Sequence, residues 1–336
     1  MIGIRGPRGF ESEELGGYLI VSPCLRMPWH GVESALLARE RCSSLPADDR
    51  HPPGVVPLIR EIVEMPELSK QATEVPRLTV EGACKRFPGG LSAVYEDIGF
   101  TVEPGSFVSL IGPSGCGKST LLKSVAGLLK PDQGEICWEH EATGECIRPE
   151  IGYIFQDATL LPWFSVRKNV EVPLRLRGIA PSLRDPVCRE MLKKVWLDGF
   201  EDYYPKELSG GMKMRVSLAR ALTLNPQVML LDEPFGALDA ITRNEMNRLL
   251  IDLWFRQRWT ALFVTHSVNE AVMLSDRVLV MSARPGRIVE DVAIDLPHPR
   301  SEAVVSEPSY LNHVAHIRSL ILASSGEALS PSQRGK

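Results

Sequence analysis

The sequence contains no uninterrupted apolar stretch near the roughly 18 residues that a membrane span requires. Its longest apolar runs, such as residues 228–231, are the size of one buried strand, so no membrane-crossing helix is expected. Neither charge sign is in surplus: 38 Lys and Arg stand against 42 Asp and Glu, a formal net charge of −4. Bulk nucleic-acid binding shows as a basic excess, so no nucleic acid is expected among the partners. A paired cysteine framework is also lacking. The seven cysteines, at positions 24, 42, 84, 116, 137, 146 and 188, are odd in number and scattered. That argues against disulfides and for a reducing, cytoplasmic compartment. Cys137-Trp138-Glu139-His140, followed by Cys146, lacks a fourth ligand and paired spacing. A plain strand–turn–strand is expected there in preference to zinc. No secretory signal is expected either, because the brief apolar segment at 16–21 follows Glu11, Glu13 and Glu14 and has no basic leader. What is present is 44% hydrophobic and 24% charged over 336 residues. Such a chain can bury a sizeable core, and its length allows roughly two domains.

Residues 1–75 differ from the rest. They hold 7 Gly and 8 Pro, with 11 acidic against 8 basic residues. A run such as His51-Pro52-Pro53-Gly54 sustains neither a helix nor a central strand. This extension is expected to be low in complexity and mostly disordered, with a short helix near 32–42. Met65, just ahead of the patterned region, is an alternative start of translation.

From residue 77 the pattern is regular. Short apolar runs ended by turn residues predict strands at 78–87, 98–102, 107–111, 135–139, 151–155, 227–232, 261–265 and 277–281. Helical spacing predicts helices at 118–129, 210–222, 243–258 and 268–274. Strands alternating with helices imply an α/β fold with a mainly parallel sheet. The interval 157–225 lacks strand patterning and reads as a helical insertion. The expected organisation is one domain at 76–293 and a tail at 294–336 carrying one amphipathic helix near 309–323. His313 and His316, spaced i and i+3 there, read as a solvated helix face.

The densest motif is Gly112-Pro113-Ser114-Gly115-Cys116-Gly117-Lys118-Ser119-Thr120. It fits the phosphate-binding loop G-x-x-x-x-G-K-[ST], with a strand before it and a helix after it. Glycines let successive backbone N–H groups wrap phosphates, and the helix start adds the positive end of its dipole. Lys118 is then placed to reach β- and γ-phosphates, and the Ser119 hydroxyl to ligate Mg2+. A second element, Val228-Met229-Leu230-Leu231-Asp232-Glu233, delivers two carboxylates at the C-terminal end of a buried strand. Asp232 is the candidate Mg2+ ligand and Glu233 the candidate general base. A third, Leu208-Ser209-Gly210-Gly211-Met212, opens a helix and offers a second anion site; taken alone it is only a helix cap.

In this order the motifs resemble an ATP-binding-cassette (ABC) ATPase over residues 77–293. The resemblance implies a P-loop NTPase fold with a mainly parallel core sheet, an N-terminal antiparallel β subdomain and an inserted helical subdomain. Phe87 falls where the family stacks adenine, and Gln156, in Tyr153-Ile154-Phe155-Gln156, where it senses Mg2+ and the interface. Asp239, in Ala237-Leu238-Asp239, matches the loop that crosses a dimer interface, and His266 the switch histidine at the γ-phosphate. The family implies that two cassettes pair head to tail, with ATP held between the Lys118 loop of one and the Ser209-Gly210-Gly211 segment of the other. Homodimer or paralogue pairing is thus expected.

Phe155 to Trp163, Met281-Ser282-Ala283-Arg284-Pro285-Gly286-Arg287 and Ile294 to Arg300 resemble the nitrate/sulfonate/taurine importer group. Met212 is usual there, whereas Met214 departs from it. That class implies transmembrane permease subunits as partners, a solute-binding protein acting indirectly, and a peripheral place on the cytoplasmic face of the membrane. The alternative is a soluble ABC ATPase acting as a conformational switch. Trp163 and Phe164 are candidates for a coupling groove or for helical-subdomain core. Cys116, near a helix N-terminus, sits where thiol pKa values fall, though its simpler role is a small residue that fits the turn.

Overall fold

The computed structural model describes residues 75–89 and 92–324. The chain divides into two units, 1–53 and 54–336, and every described residue lies in the second. The expectations for residues 1–74, including disorder, the helix near 32–42 and the start at Met65, fall outside the described residues. In chain order the first elements are β1 (Arg77–Lys85), β2 (Tyr95–Val102), β3 (Phe107–Ile111), α1 (Lys118–Val125), β4 (Gln133–Glu139), β5 (Cys146–Ile147) and β6 (Ile151–Ile154). Then follow α2 (Val166–Leu176), α3 (Pro181–Lys194), α4 (Gly210–Leu222), β7 (Val228–Asp232), α5 (Ala240–Gln257) and β8 (Thr260–Val264). The last are α6 (Val268–Leu274), β9 (Arg277–Met281), β10 (Ile288–Ala293) and α7 (Pro308–Ser324).

Two sheets organise these elements. β2-β1-β4-β5 is antiparallel throughout. The second has the order β10-β9-β3-β8-β7-β6, with β6, β7, β8, β3 and β9 parallel and only β10 antiparallel. Its central strands are buried at every position of β3, β7 and β8. They therefore read as continuous apolar runs, not as alternation. Successive side chains still point to opposite faces. Phe107, Met229, Leu231 and Phe263 enter a core shared with α2 to α7. Val108, Leu110, Leu230 and Val264 enter another, shared with α1 and the antiparallel sheet.

The α/β architecture matches the expectation, and among the described residues no strand interrupts 157–225, which contains α2, α3 and α4. Three details differ. The helix after the phosphate loop stops at Val125, where Gly127 turns to φ 71°. β10 was not expected and is an exposed edge carrying Glu290 and Asp291, whereas β5, two residues long, is the return strand of the strand–turn–strand expected around Cys137 and Cys146. Cys137 and Cys146, read as free thiols, form a disulfide across β4 and β5. The register Glu139↔Cys146 brings their Cα atoms to 5.5 Å, within bridging reach. Sequence separation alone conceals that register.

The segment after β10 is pinned by Arg300, which is 4% exposed. Its guanidinium donates to Val272 O (2.6 Å) and Ser275 O (2.7 Å) at the end of α6, and to Leu296 O (3.0 Å). These helix-end carbonyls have no helical donor of their own. Burial pushes the guanidinium pKa down to about 10. Arg300→Leu is expected to destabilise the fold by about 3 kcal/mol, because buried carbonyls lose their donors. A urea midpoint shift at constant m-value checks this, and an unmoved midpoint contradicts it.

Candidate active site

The phosphate-loop motif spans the turn between β3 and α1. Gly115 and Gly117 take φ 76° and 105°, the left-handed region where a side chain is strained. A Cβ added at Gly117 would lie 2.9 Å from Val94 Cγ1, and one at Gly112 would lie 2.7 Å from Met281 O. The loop is thus packed from beneath by Val94 and Met281, while Gly115 has open space above it. That leaves a concave backbone at the start of α1, with the helix N–H groups unpartnered and the dipole positive.

Lys118, the first residue of α1, is 5% exposed. Its ammonium donates to Gly112 O (3.0 Å) and Pro113 O (3.1 Å), so the loop itself holds the cation ready. Ser119 Oγ donates to Asp232 Oδ1 at 2.7 Å. These hard oxygens, one of them charged, are a donor set suited to Mg2+, which keeps waters and phosphate oxygens as its other ligands. Burial pushes the Asp232 carboxyl up, and the Ser119 hydrogen bond opposes that. Tyr153 on β6 also donates to Asp232, at 3.5 Å, and this contact was not anticipated.

Glu233 follows β7 at φ 45°, a strained conformation for a non-glycine residue of the kind that collects at functional sites. Its N–H donates to Val264 O (2.9 Å) and its carbonyl accepts from Gly236 (3.1 Å), which hold it there. The carboxylate is consequently aimed at two other site residues. Oε1 is 4.0 Å from Lys118 Nζ, and Oε2 is 3.2 Å from His266 Nδ1. Lys118, Ser119, Asp232, Glu233 and His266 are therefore brought together from β3–α1, β7 and β8–α6.

The remaining residues form other contacts. Ser209 caps α4 by accepting from Met212 N–H (3.2 Å), and Asp239 caps α5 by accepting from Ile241 and Thr242 N–H. Those bonds hold the Asp239 carboxyl below its usual range. Gly210 faces Leu238, 3.5 Å from an added Cβ, so the two caps lie side by side. Phe87 is exposed beyond β1, with Lys85 Nζ 6.0 Å from its ring centroid. Gln156 is exposed two residues past β6. Trp163 is 62% exposed and Phe164 half-buried, whereas Met214 is buried on α4. His316 is paired with Glu290 of β10 at 2.8 Å.

Of the two readings of Cys116, the structure favours the small residue that fits the turn over the lowered thiol pKa. The side chain is 1% exposed, and burial pushes its pKa up despite the nearby Lys118 ammonium. Desolvation outweighs the helix terminus here, leaving the small turn-fitting role. Alkylation of Cys116 in the native chain is expected to run at least ~tenfold slower than after unfolding. Peptide mass mapping of labelled protein measures it, and equal rates in the two states contradict it.

Comparison with known proteins agrees with this geometry. A family model described as ABC transporter matches residues 95–236. An ABC transporter ATP-binding protein of Methanocaldococcus jannaschii is 43% identical over 254 residues, covering 75% of this chain and 94% of its own length. An aliphatic sulfonates import ATP-binding protein of Bacillus cereus is 47% identical over 213 residues, 63% of this chain and 83% of its own. Among solved structures, a dimeric ATP-binding cassette in a post-hydrolysis state with ADP and Pi superposes with a TM-score of 0.57 at 30% identity. It is matched over its whole length and over 66% of this chain.

Proposed function

We propose, from the premise that this chain belongs to the ABC transporter family and is one of its ATPase cassettes, that it is the ATP-hydrolysing subunit of an importer for a small anion such as a sulfonate, nitrate or taurine. The observation that carries the reading is the convergence of Lys118, Glu233 and His266 beside Ser119 and Asp232. Backbone N–H groups of Gly112, Pro113, Ser114, Gly115, Cys116 and Gly117 cradle phosphates, with Thr120 and the rest of the first turn of α1 behind them. Lys118 binds the β- and γ-phosphates. Ser119, Asp232 and Gln156 would hold Mg2+, which when bound offsets the phosphate charge. Glu233 accepts the proton of the attacking water, and His266, held by Glu233, contacts the γ-phosphate. Phe87 stacks on adenine.

Two copies pair head to tail in this reading. Ser209, Gly210 and Gly211 of one copy face the nucleotide held by the other, and Asp239 crosses between them. The dimeric form of the cassette that superposes on this chain supports the pairing. The exposed Trp163 on the helical insertion supports contact with a permease. The chain then works peripherally at the cytoplasmic face of the membrane, driven indirectly by a solute-binding protein. Among the described residues no helix is long and apolar enough to cross a membrane. That fits a division of labour in which another chain supplies the spans.

The test is to co-express the full chain with permease subunits of sulfonate, nitrate and taurine importers and extract the membranes in detergent. Co-elution, with ATP turnover raised by binding protein loaded with an aliphatic sulfonate, nitrate or taurine, is the expected result. A chain that elutes alone, with turnover indifferent to every loaded binding protein, would overturn the importer reading.

A further inference from the structure

The Asp239 loop and the His266 loop are tied together inside this chain by two residues that touch none of the reacting groups. Arg243 sits one turn into α5, and its Nη2 donates to Leu238 O at 2.7 Å while Nε donates to Phe235 O at 3.3 Å. The same Nε lies 3.6 Å from Glu270 Oε1. Glu270, on α6, is 7% exposed. Its other oxygen, Oε2, accepts from Thr265 Oγ1 at 2.5 Å, and that hydroxyl oxygen accepts from Ser267 N–H at 2.9 Å. His266 is the residue between those two. The loop from Glu233 to Asp239 is therefore held by its carbonyls at one end of the relay, and both neighbours of His266 at the other.

The relay continues outward. Leu238, whose carbonyl Arg243 holds, packs against Gly210, and Thr242 packs against Gly211. Thr242 Oγ1 also donates to Asp239 Oδ2 at 2.7 Å. On the inner side, Gly236 lies against the His266 ring, 3.5 Å from Cε1 to an added Cβ. A continuous set of contacts thus runs from the Ser209–Gly211 segment to His266 and Glu233.

We propose that Arg243 and Glu270 are positioning residues that transmit the placement of the Ser209–Gly211 and Asp239 segments to His266, and so couple the two ATP sites of a dimer. The proposal rests on the head-to-tail reading above, in which one chain's Gly210 serves the partner's nucleotide and its His266 serves its own. Each nucleotide then reports on the other through a single chain's interior. A guanidinium suits this because its planar fork serves two carbonyls and a carboxylate at once, which an ammonium cannot reproduce. Burial of Glu270 makes the loss of its partner felt at Thr265 instead of being absorbed by water.

The test is the ATP dependence of turnover in the purified full chain. Arg243→Ala is expected to lower kcat about tenfold, leave KM for ATP within about twofold, and reduce the Hill coefficient from near 2 towards 1. Arg243→Lys is expected to fall between the two. An Arg243→Ala chain with wild-type kcat and Hill coefficient overturns the proposal, as does hyperbolic ATP dependence in the wild type. A change in melting temperature alone, with cooperativity intact, assigns the pair a structural role and also overturns it. If Arg243→Ala does not fold, Glu270→Gln decides: it still accepts from Thr265 but loses the ionic partner, so retained cooperativity there refutes the relay. The underlying dimer reading is tested separately, by whether Glu233→Gln dimerises with ATP.

Discussion

Glu233→Gln is expected to lower ATP turnover by about a thousandfold while leaving ATP binding intact. The amide has the shape of the carboxylate, so it can occupy the strained position after β7 and still meet His266, 3.2 Å away in the wild type. What it cannot do is accept a proton from water at the pH of the cell. In the proposed site phosphate binding depends on the Lys118 ammonium and the loop N–H groups, none of which changes. One negative charge beside a triphosphate is also removed. At a separation of about 4 Å and an effective dielectric near 20, such a repulsion is on the order of 4 kcal/mol before screening. Bound ATP should therefore persist, and a dimer of twice the monomer mass should accumulate in gel filtration with ATP. Phosphate release at the wild-type rate would mean that another group is the base.

The parts of this molecule that were legible in the sequence share a physical cause. β3 and β9 end where their apolar runs end, because central parallel strands are buried on both faces; the polar residue inside β3, Ser109, is paired with the Ser275 hydroxyl. α4 begins at Gly210 because Ser209 is its cap. Asp239 caps α5 in the same way, so α5 begins at Ala240, ahead of the expected 243. β10 has no such signal: among the described residues it pairs only with β9, and Glu290 and Asp291 break its apolar character. At the site, Lys118, Ser119, Asp232, Glu233 and His266 stand in short motifs whose chemistry is distinctive. Arg243 and Glu270 do not. Their partners are backbone carbonyls and a threonine hydroxyl, and no residue pattern encodes a carbonyl. At Cys116 two influences compete, and nearness to a helix start is visible in the sequence whereas burial is not. The Cys137–Cys146 bridge was hidden for a related reason: the pairing of β4 with β5 that brings the two together is a property of the sheet.

Lys118→Ala is expected to weaken ATP binding by about one to two orders of magnitude and to abolish turnover at ordinary ATP concentrations. The ammonium is buried and already oriented by Gly112 O and Pro113 O. Little side-chain freedom remains to be lost when phosphate arrives, so most of its interaction appears as affinity. A hydrogen bond to a charged group contributes about 1.5–3 kcal/mol, and each 1.4 kcal/mol is a factor of ten. Lys118→Arg should not rescue. A planar guanidinium spreads its charge over three nitrogens, whereas here a single ammonium nitrogen donates to both Gly112 O and Pro113 O. The two substitutions therefore divide the site: Glu233→Gln removes turnover and keeps the nucleotide, whereas Lys118→Ala removes the nucleotide. Calorimetric titration with ATP and Mg2+ measures the difference. An Lys118→Ala affinity within about threefold of wild type would place the phosphates away from the loop between β3 and α1, because no ligand seated in that cradle could be indifferent to the one cation the loop holds ready for it.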